Sequence, residues 1–102
     1  MFDRILKKMR DKVRVRAYVM TLHAEEEMDN DGLSIFDVES AILTGAILER
    51  QVDRVSREPK YLIRGRSLDG DEPIVVVAKL GRTDQVVILT VYEEEETTRR
   101  AV

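Results

Sequence analysis

With 102 residues, 43% of them hydrophobic and 36% charged, the chain can build one domain around one core and is too apolar to remain disordered. It has no cysteine, which excludes a disulfide framework and a cysteine-ligated metal. No apolar run approaches the ~20 residues of a membrane helix. The opening Met1-Phe2-Asp3-Arg4 does not lead into the apolar stretch of a secretory signal. A cytoplasmic location without a membrane is therefore expected by elimination. The net charge of −3 conceals an asymmetry. Residues 1–16 carry seven basic groups against Asp3 and Asp11, or +5, so the remainder carries −8. A basic arm on an acidic body points weakly to nucleic acid, through Lys7, Lys8, Arg14 and Arg16. Pairing with the protein's own acidic surface, or with a second copy, is the alternative.

The spacing of Phe2, Ile5, Leu6, Met9 and Val13 predicts an amphipathic helix over residues 1–14. Alternation from Val13 to Met20 predicts a first strand. A second helix runs from Thr21 or Leu22 to Asn30, with Thr21 as its cap. Asp31-Gly32 ends it. Ser34 and Asp37 open a third helix in the manner of a capping box, with Leu33 and Val38 as a hydrophobic staple. Ile35, Val38, Ala41 and Ile42 form its buried stripe, and Gly45 closes it as a left-handed cap.

Four strands follow, over Ala46–Val55, Tyr61–Ser67, Ile74–Leu80 and Val86–Tyr92. The last two are nearly continuous β-branched runs and belong in the sheet centre. The order α-β-α-α-β-β-β-β implies an α+β fold, a twisted antiparallel sheet with two helices on one face and the N-terminal helix packed near it. Simple hairpins align Arg66 with Val76 and Thr90, Leu68 with Ile74 and Tyr92, and Arg64 with Ala78 and Ile88. Gly65, Val75, Val77, Val87, Leu89 and Val91 then face the second and third helices. A one-residue slip would exchange every side chain between faces. The N-terminal helix or a second subunit would cover Val76, Ala78 and Ile88. Lys79 interrupts a buried run and is expected to snorkel from a sheet edge. Residues 93–102 read as an acidic flexible tail.

Metal-independent RNA cleavage needs a base, an acid and cations for the phosphate. His23, Tyr92, Arg64 and Arg66 supply those types. The structural alternatives are a His23 bonded to Glu26 or Glu27 one turn on, and an Arg64–Arg66 strand face paired to carboxylates such as Glu49. Glu25, Glu26 and Glu27 are consecutive and point in different directions around a helix. No metal and no cofactor is expected.

The chain resembles a bacterial family of small proteins known as domain of unknown function DUF4258, distantly grouped with the RelE/ParE-like toxins. His23 with Met28, Asp31-Gly32-Leu33-Ser34, Asp37-Val38, Ala41-Ile42, Gly45, Tyr61 with Gly65, and Thr90-Val91-Tyr92 carry the resemblance over residues 15–92. It implies a RelE-like scaffold, which in that superfamily supports RNA cleavage or gyrase inhibition. The chain departs from such toxins in its acidity, in Asp31 where many relatives carry Arg, and in Glu93-Glu94-Glu95-Glu96 after Tyr92. Glutamates beside an RNA site repel phosphate. The functional expectation is a non-catalytic dimerisation or partner-binding module, its partner a second copy or an antitoxin-like protein. A toxin-type RNase is the alternative, with RNA as its substrate.

Overall fold

A computed structural model describes residues 1–94. Among them are three helices, α1 (Asp3–Arg14), α2 (Leu22–Asn30) and α3 (Ile35–Thr44). The five strands are β1 (Tyr18–Met20), β2 (Ala46–Val52), β3 (Pro59–Arg66), β4 (Pro73–Leu80) and β5 (Val86–Glu93). The order of elements is the expected one. The helix starts also follow the sequence. The Thr21 hydroxyl accepts the Ala24 N–H at 3.1 Å. Ser34 and Asp37 exchange side-chain and backbone bonds in a full capping box, which satisfies two backbone donors that the helix itself leaves open. Gly32 takes φ +67, the left-handed turn between α2 and α3.

Two local expectations are corrected. The first strand does not begin at Val13. Val13 is a buried core residue of α1, which runs to Arg14, and the chain turns at Arg16 (φ 58) before the short β1. Gly45 is not a left-handed cap, since its φ of −92 and ψ of −170 are extended. It is required by proximity, because a Cβ there would lie 2.4 Å from the Arg64 carbonyl oxygen.

The sheet order is β1-β5-β4-β3-β2. β1 runs parallel to β5 and the other neighbours are antiparallel, so the sheet is mixed. The simple-hairpin register is overturned between β3 and β4. Arg64 pairs with Val75 and Arg66 with Pro73. Loop 67–72 holds itself together through Ser67 N–H to Glu72 O (2.8 Å), Glu72 N–H to the Ser67 hydroxyl (3.1 Å) and that hydroxyl to Asp69 (2.6 Å). The hairpin therefore closes earlier than the sequence spacing suggested. Ala78 does pair with Ile88, but a bulge at Leu89 shifts the pairing beyond it, so that Val76 meets Val91 and Val75 meets Tyr92.

The faces change accordingly. Gly65 and Val91 face the helices as expected, joined by Ile63, Ile74, Val76, Ala78 and Ile88. Val75, Val77 and Val87 alternate to the opposite face. All three helices share one core with that first face, α1 through Met9 and Val13, α2 through Ala24, and α3 through Val38, Ala41 and Ile42. Phe2, which precedes α1 as its cap, adds an edge contact on Tyr61, ring centroids 6.0 Å apart. Among the described residues no helix covers the other face. β4 has a strand on each side, so Lys79 is not at a sheet edge. It bonds Glu58 at 2.7 Å on the helix-free face.

Candidate functional site

The register orders the helix-free face into rows. Arg66 and Pro73 lie in one row with Glu94, whose backbone N–H donates to the Pro73 carbonyl at 2.9 Å. Arg64, Val75 and Tyr92 form the next, followed by Leu62, Val77 and Thr90, and then Lys79 and Val87. Lys60 shares this face by alternation with Leu62 and Arg64. Four cations thus stand on this face of a chain whose net charge is −3. The Glu94 carboxylate lies 2.6 Å from the Arg64 guanidinium, and Lys79 holds Glu58, whose carboxyl it draws below the usual range. Lys60 and Arg66 have no ion pair among the described residues.

At the end of this face, where α3 passes into β2, Thr44, Arg64, Gly65, Arg66 and Pro73 line a shallow cleft of about 230 Å³. Its walls are fixed by a close backbone approach. A Cβ on Gly65 would come within 2.1 Å of the Ala41 carbonyl oxygen, so only glycine lets β3 lie this near α3. The Thr44 hydroxyl donates to Ser40 O (2.7 Å) and accepts the Arg66 N–H (3.2 Å), tying the helix end to the strand. Arg10 of α1 donates to the carbonyls of Ile42 (3.1 Å) and Gly45 (2.6 Å). It thereby offsets the negative end of the α3 dipole next to the cleft.

Of the four residues grouped for catalysis, Arg64, Arg66 and Tyr92 share the helix-free face. Arg64 and Tyr92 flank Val75 from opposite sides, two strand spacings or roughly 10 Å apart. His23 is not with them. It stands on α2, 68% exposed, with Nε2 3.2 Å from Glu27 Oε1, and it does not line the cleft. This is the i, i+4 pair of the structural alternative.

The acidic residues near His23 hold the backbone. β1 pairs β5 only as far as Ile88. Beyond it, Glu27 accepts the Val91 N–H (3.1 Å), Asp31 accepts the Glu93 N–H (2.9 Å) and the Thr21 hydroxyl donates to Leu89 O (3.3 Å). Side chains of α2 and of its two caps therefore stand in for a missing strand along the edge of β5, where unpaired groups would invite association. Tyr18 bonds Glu39, and burial and then that carboxylate push its hydroxyl up to about 12.

The cations grouped for nucleic acid do not form one free patch. Lys7 and Arg14 both lie 3.2 Å from Asp11, while Lys8 and Arg16 are exposed. Lys12 pairs with Asp84 and Arg10 is spent on α3. Thr44, Pro73, Arg10 and Glu94 went unrecognised as parts of the cleft and its surroundings, because nothing local in the sequence joins residues so far apart. Among the described residues no helix is long and apolar enough to cross a membrane.

No curated protein and no solved structure matches the chain. The family model described as "Domain of unknown function (DUF4258)" matches residues 20–93, which include α2, α3 and β2 to β5, and hence Arg64, Arg66, Tyr92 and the α2 edge that supports β5. The chain belongs to the DUF4258 family.

Proposed function

We propose that the protein is a non-catalytic partner-binding module that presents its helix-free sheet face to an acidic polypeptide. The carrying observation is the cationic row structure of that face. Arg64 and Arg66 flank Gly65 beside a cleft, with Lys60 and Lys79 further along and Leu62, Val87 and Tyr92 between them. An extended segment with alternating carboxylates and apolar side chains matches such a surface in period and charge. A toxin-type RNase is the less supported reading. It needs an acid or base beside the cationic cleft, and His23 is engaged with Glu27 at the β5 edge.

The test is a titration of isotope-labelled protein with a polyglutamate dodecamer, followed by amide NMR, beside incubation of wild type and His23→Ala with a uridine dodecamer RNA assayed for cleavage. Shifts at Arg64, Gly65, Arg66 and Tyr92 with the peptide are expected. Shifts confined to α1, or RNA cleavage abolished by His23→Ala, would overturn the proposal, and the second result would establish the nuclease.

A further inference from the structure

We infer that the arginine rim of the cleft beside α3 is a carboxylate-binding subsite, Arg64 and Arg66, whose Arg64 end is occupied by the chain's own Glu94. The inference rests on the reading of this face as a dock for an acidic polypeptide, and it assigns the anchor point and its competitor. Arg64 is a planar fork of five donors suited to a carboxylate, and a Glu94 oxygen already sits 2.6 Å from one of its terminal nitrogens. The position of Glu94 is built in. Its N–H bonds the Pro73 carbonyl, continuing the β4–β5 pairing by one residue and placing Glu94 in the row of Arg66 and Pro73.

The receiving side is equally fixed. Gly65 is clamped against Ala41, and the Arg66 N–H is held by the Thr44 hydroxyl, so the two arginines cannot drift along β3. At the end of α3 next to the cleft, Arg10 bonds the carbonyls of Ile42 and Gly45 and so reduces the repulsion an anion would meet there. Arg66 is exposed and forms no ion pair among the described residues, so it offers a second cation to an incoming carboxylate. The Arg64 and Glu94 side chains are 41% and 24% exposed. The bonded Glu94 oxygen is enclosed, but the Arg64 guanidinium remains in contact with water, so an incoming carboxylate can reach it and displace Glu94. A partner carboxylate replaces Glu94 on Arg64 and gains Arg66.

Affinity for the polyglutamate dodecamer, measured by NMR titration, separates the claims. Glu94→Gln is expected to bind about two- to fivefold tighter than wild type, the range set by releasing one partly exposed pair. Arg66→Ala is expected to bind severalfold weaker. Glu25→Gln, an equal charge change on exposed α2, should match the wild type. Equal affinities for wild type and Glu94→Gln, with Arg66→Ala still weakened, overturn the role of Glu94 and leave the sheet-face dock standing. Tightening by Glu25→Gln equal to that by Glu94→Gln makes the effect one of net charge and overturns the subsite. Absence of binding by every variant overturns both proposals. Unchanged amide spectra away from the cleft verify that the variants fold.

Discussion

Met9→Ala tests whether α1 belongs to the core, since the helix lies outside the residues that match the family. Met9 is fully buried, in one cluster with Val13, Ile42, Ile63 and Ile88. Truncation to Ala removes three heavy atoms beyond Cβ from a close-packed site. Their lost transfer energy plus the residual cavity amounts to about 3 kcal/mol, within the usual ~2–5 for such changes. A domain of this size has a total stability of roughly 5–15 kcal/mol, so the change is a large fraction of it. In urea, with a slope of about 1.5 kcal/mol/M, the unfolding midpoint followed by circular dichroism should fall by roughly 2 M. A fall of less than about 0.3 M with an unchanged slope would show that α1 is not docked as described. An equal midpoint loss for Arg4→Ala, on the exposed side of the same helix, would show that the effect is not specific to burial at Met9, since alanine is the better helix former at both positions.

Further outcomes follow from the edge, the cap and the cleft. Glu27→Ala should destabilise by about 1–2 kcal/mol, because the Val91 N–H loses its acceptor. Glu27→Gln keeps an acceptor and should change little, and His23→Ala, at an exposed position, should stay within about 0.5 kcal/mol. Urea midpoints decide, and parity of Glu27→Ala with His23→Ala would refute the edge role. Asp37 is held below the usual carboxylate range by N–H donors from Ser34 and Leu68. A depressed folded value means that its stabilisation is present above the unfolded value and lost as pH falls through the folded one. Asp37→Ala should therefore cost about 1 kcal/mol near neutral pH, and the gap to wild type should close as pH falls below the ordinary carboxylate range. A gap that widens on acidification would refute this. Gly65→Ala should cost about 3 kcal/mol or more, since its new methyl meets backbone that cannot rotate away. A stability close to wild type would show that α3 and β3 do not approach as described.

The legible part of this fold is what short-range chemistry decides. Thr21, Ser34, Asp37 and Gly32 announce helix ends through bonds made within three or four residues. The spacing of Met9 and Val13 announces a buried helix stripe. Register was not legible, because it depends on how loop 67–72 bonds to itself and on one extra residue at Leu89. Both β4 and β5 are β-branched on each face, so apolar alternation could not choose between the registers. The cleft was half legible. Arg64, Gly65 and Arg66 stand out as a triplet, but Gly65 owes its place to Ala41, Thr44 reaches the cleft from α3, and Arg10 of α1 braces the end of α3 beside it. In the sequence Gly45 reads as a helix cap and Gly65 only as a position on a sheet face, whereas both glycines serve a close approach between backbones.

The placement of His23 separates the two functional readings more sharply than the charge does. An acid–base residue must reach the atom whose proton it moves, directly or through one water. His23 is tied to a carboxylate that itself supports the Val91 N–H. Moving the imidazole toward the arginine cleft would break the pair with Glu27 and carry it across the β5 edge to another face of the sheet. The cleft has cations, a fixed backbone and a displaceable carboxylate, which are the requirements for holding an anion. The histidine and the arginines therefore lie in different parts of the fold, an edge support on α2 and the helix-free face of β3. That separation is what favours the proposed binding module over the nuclease.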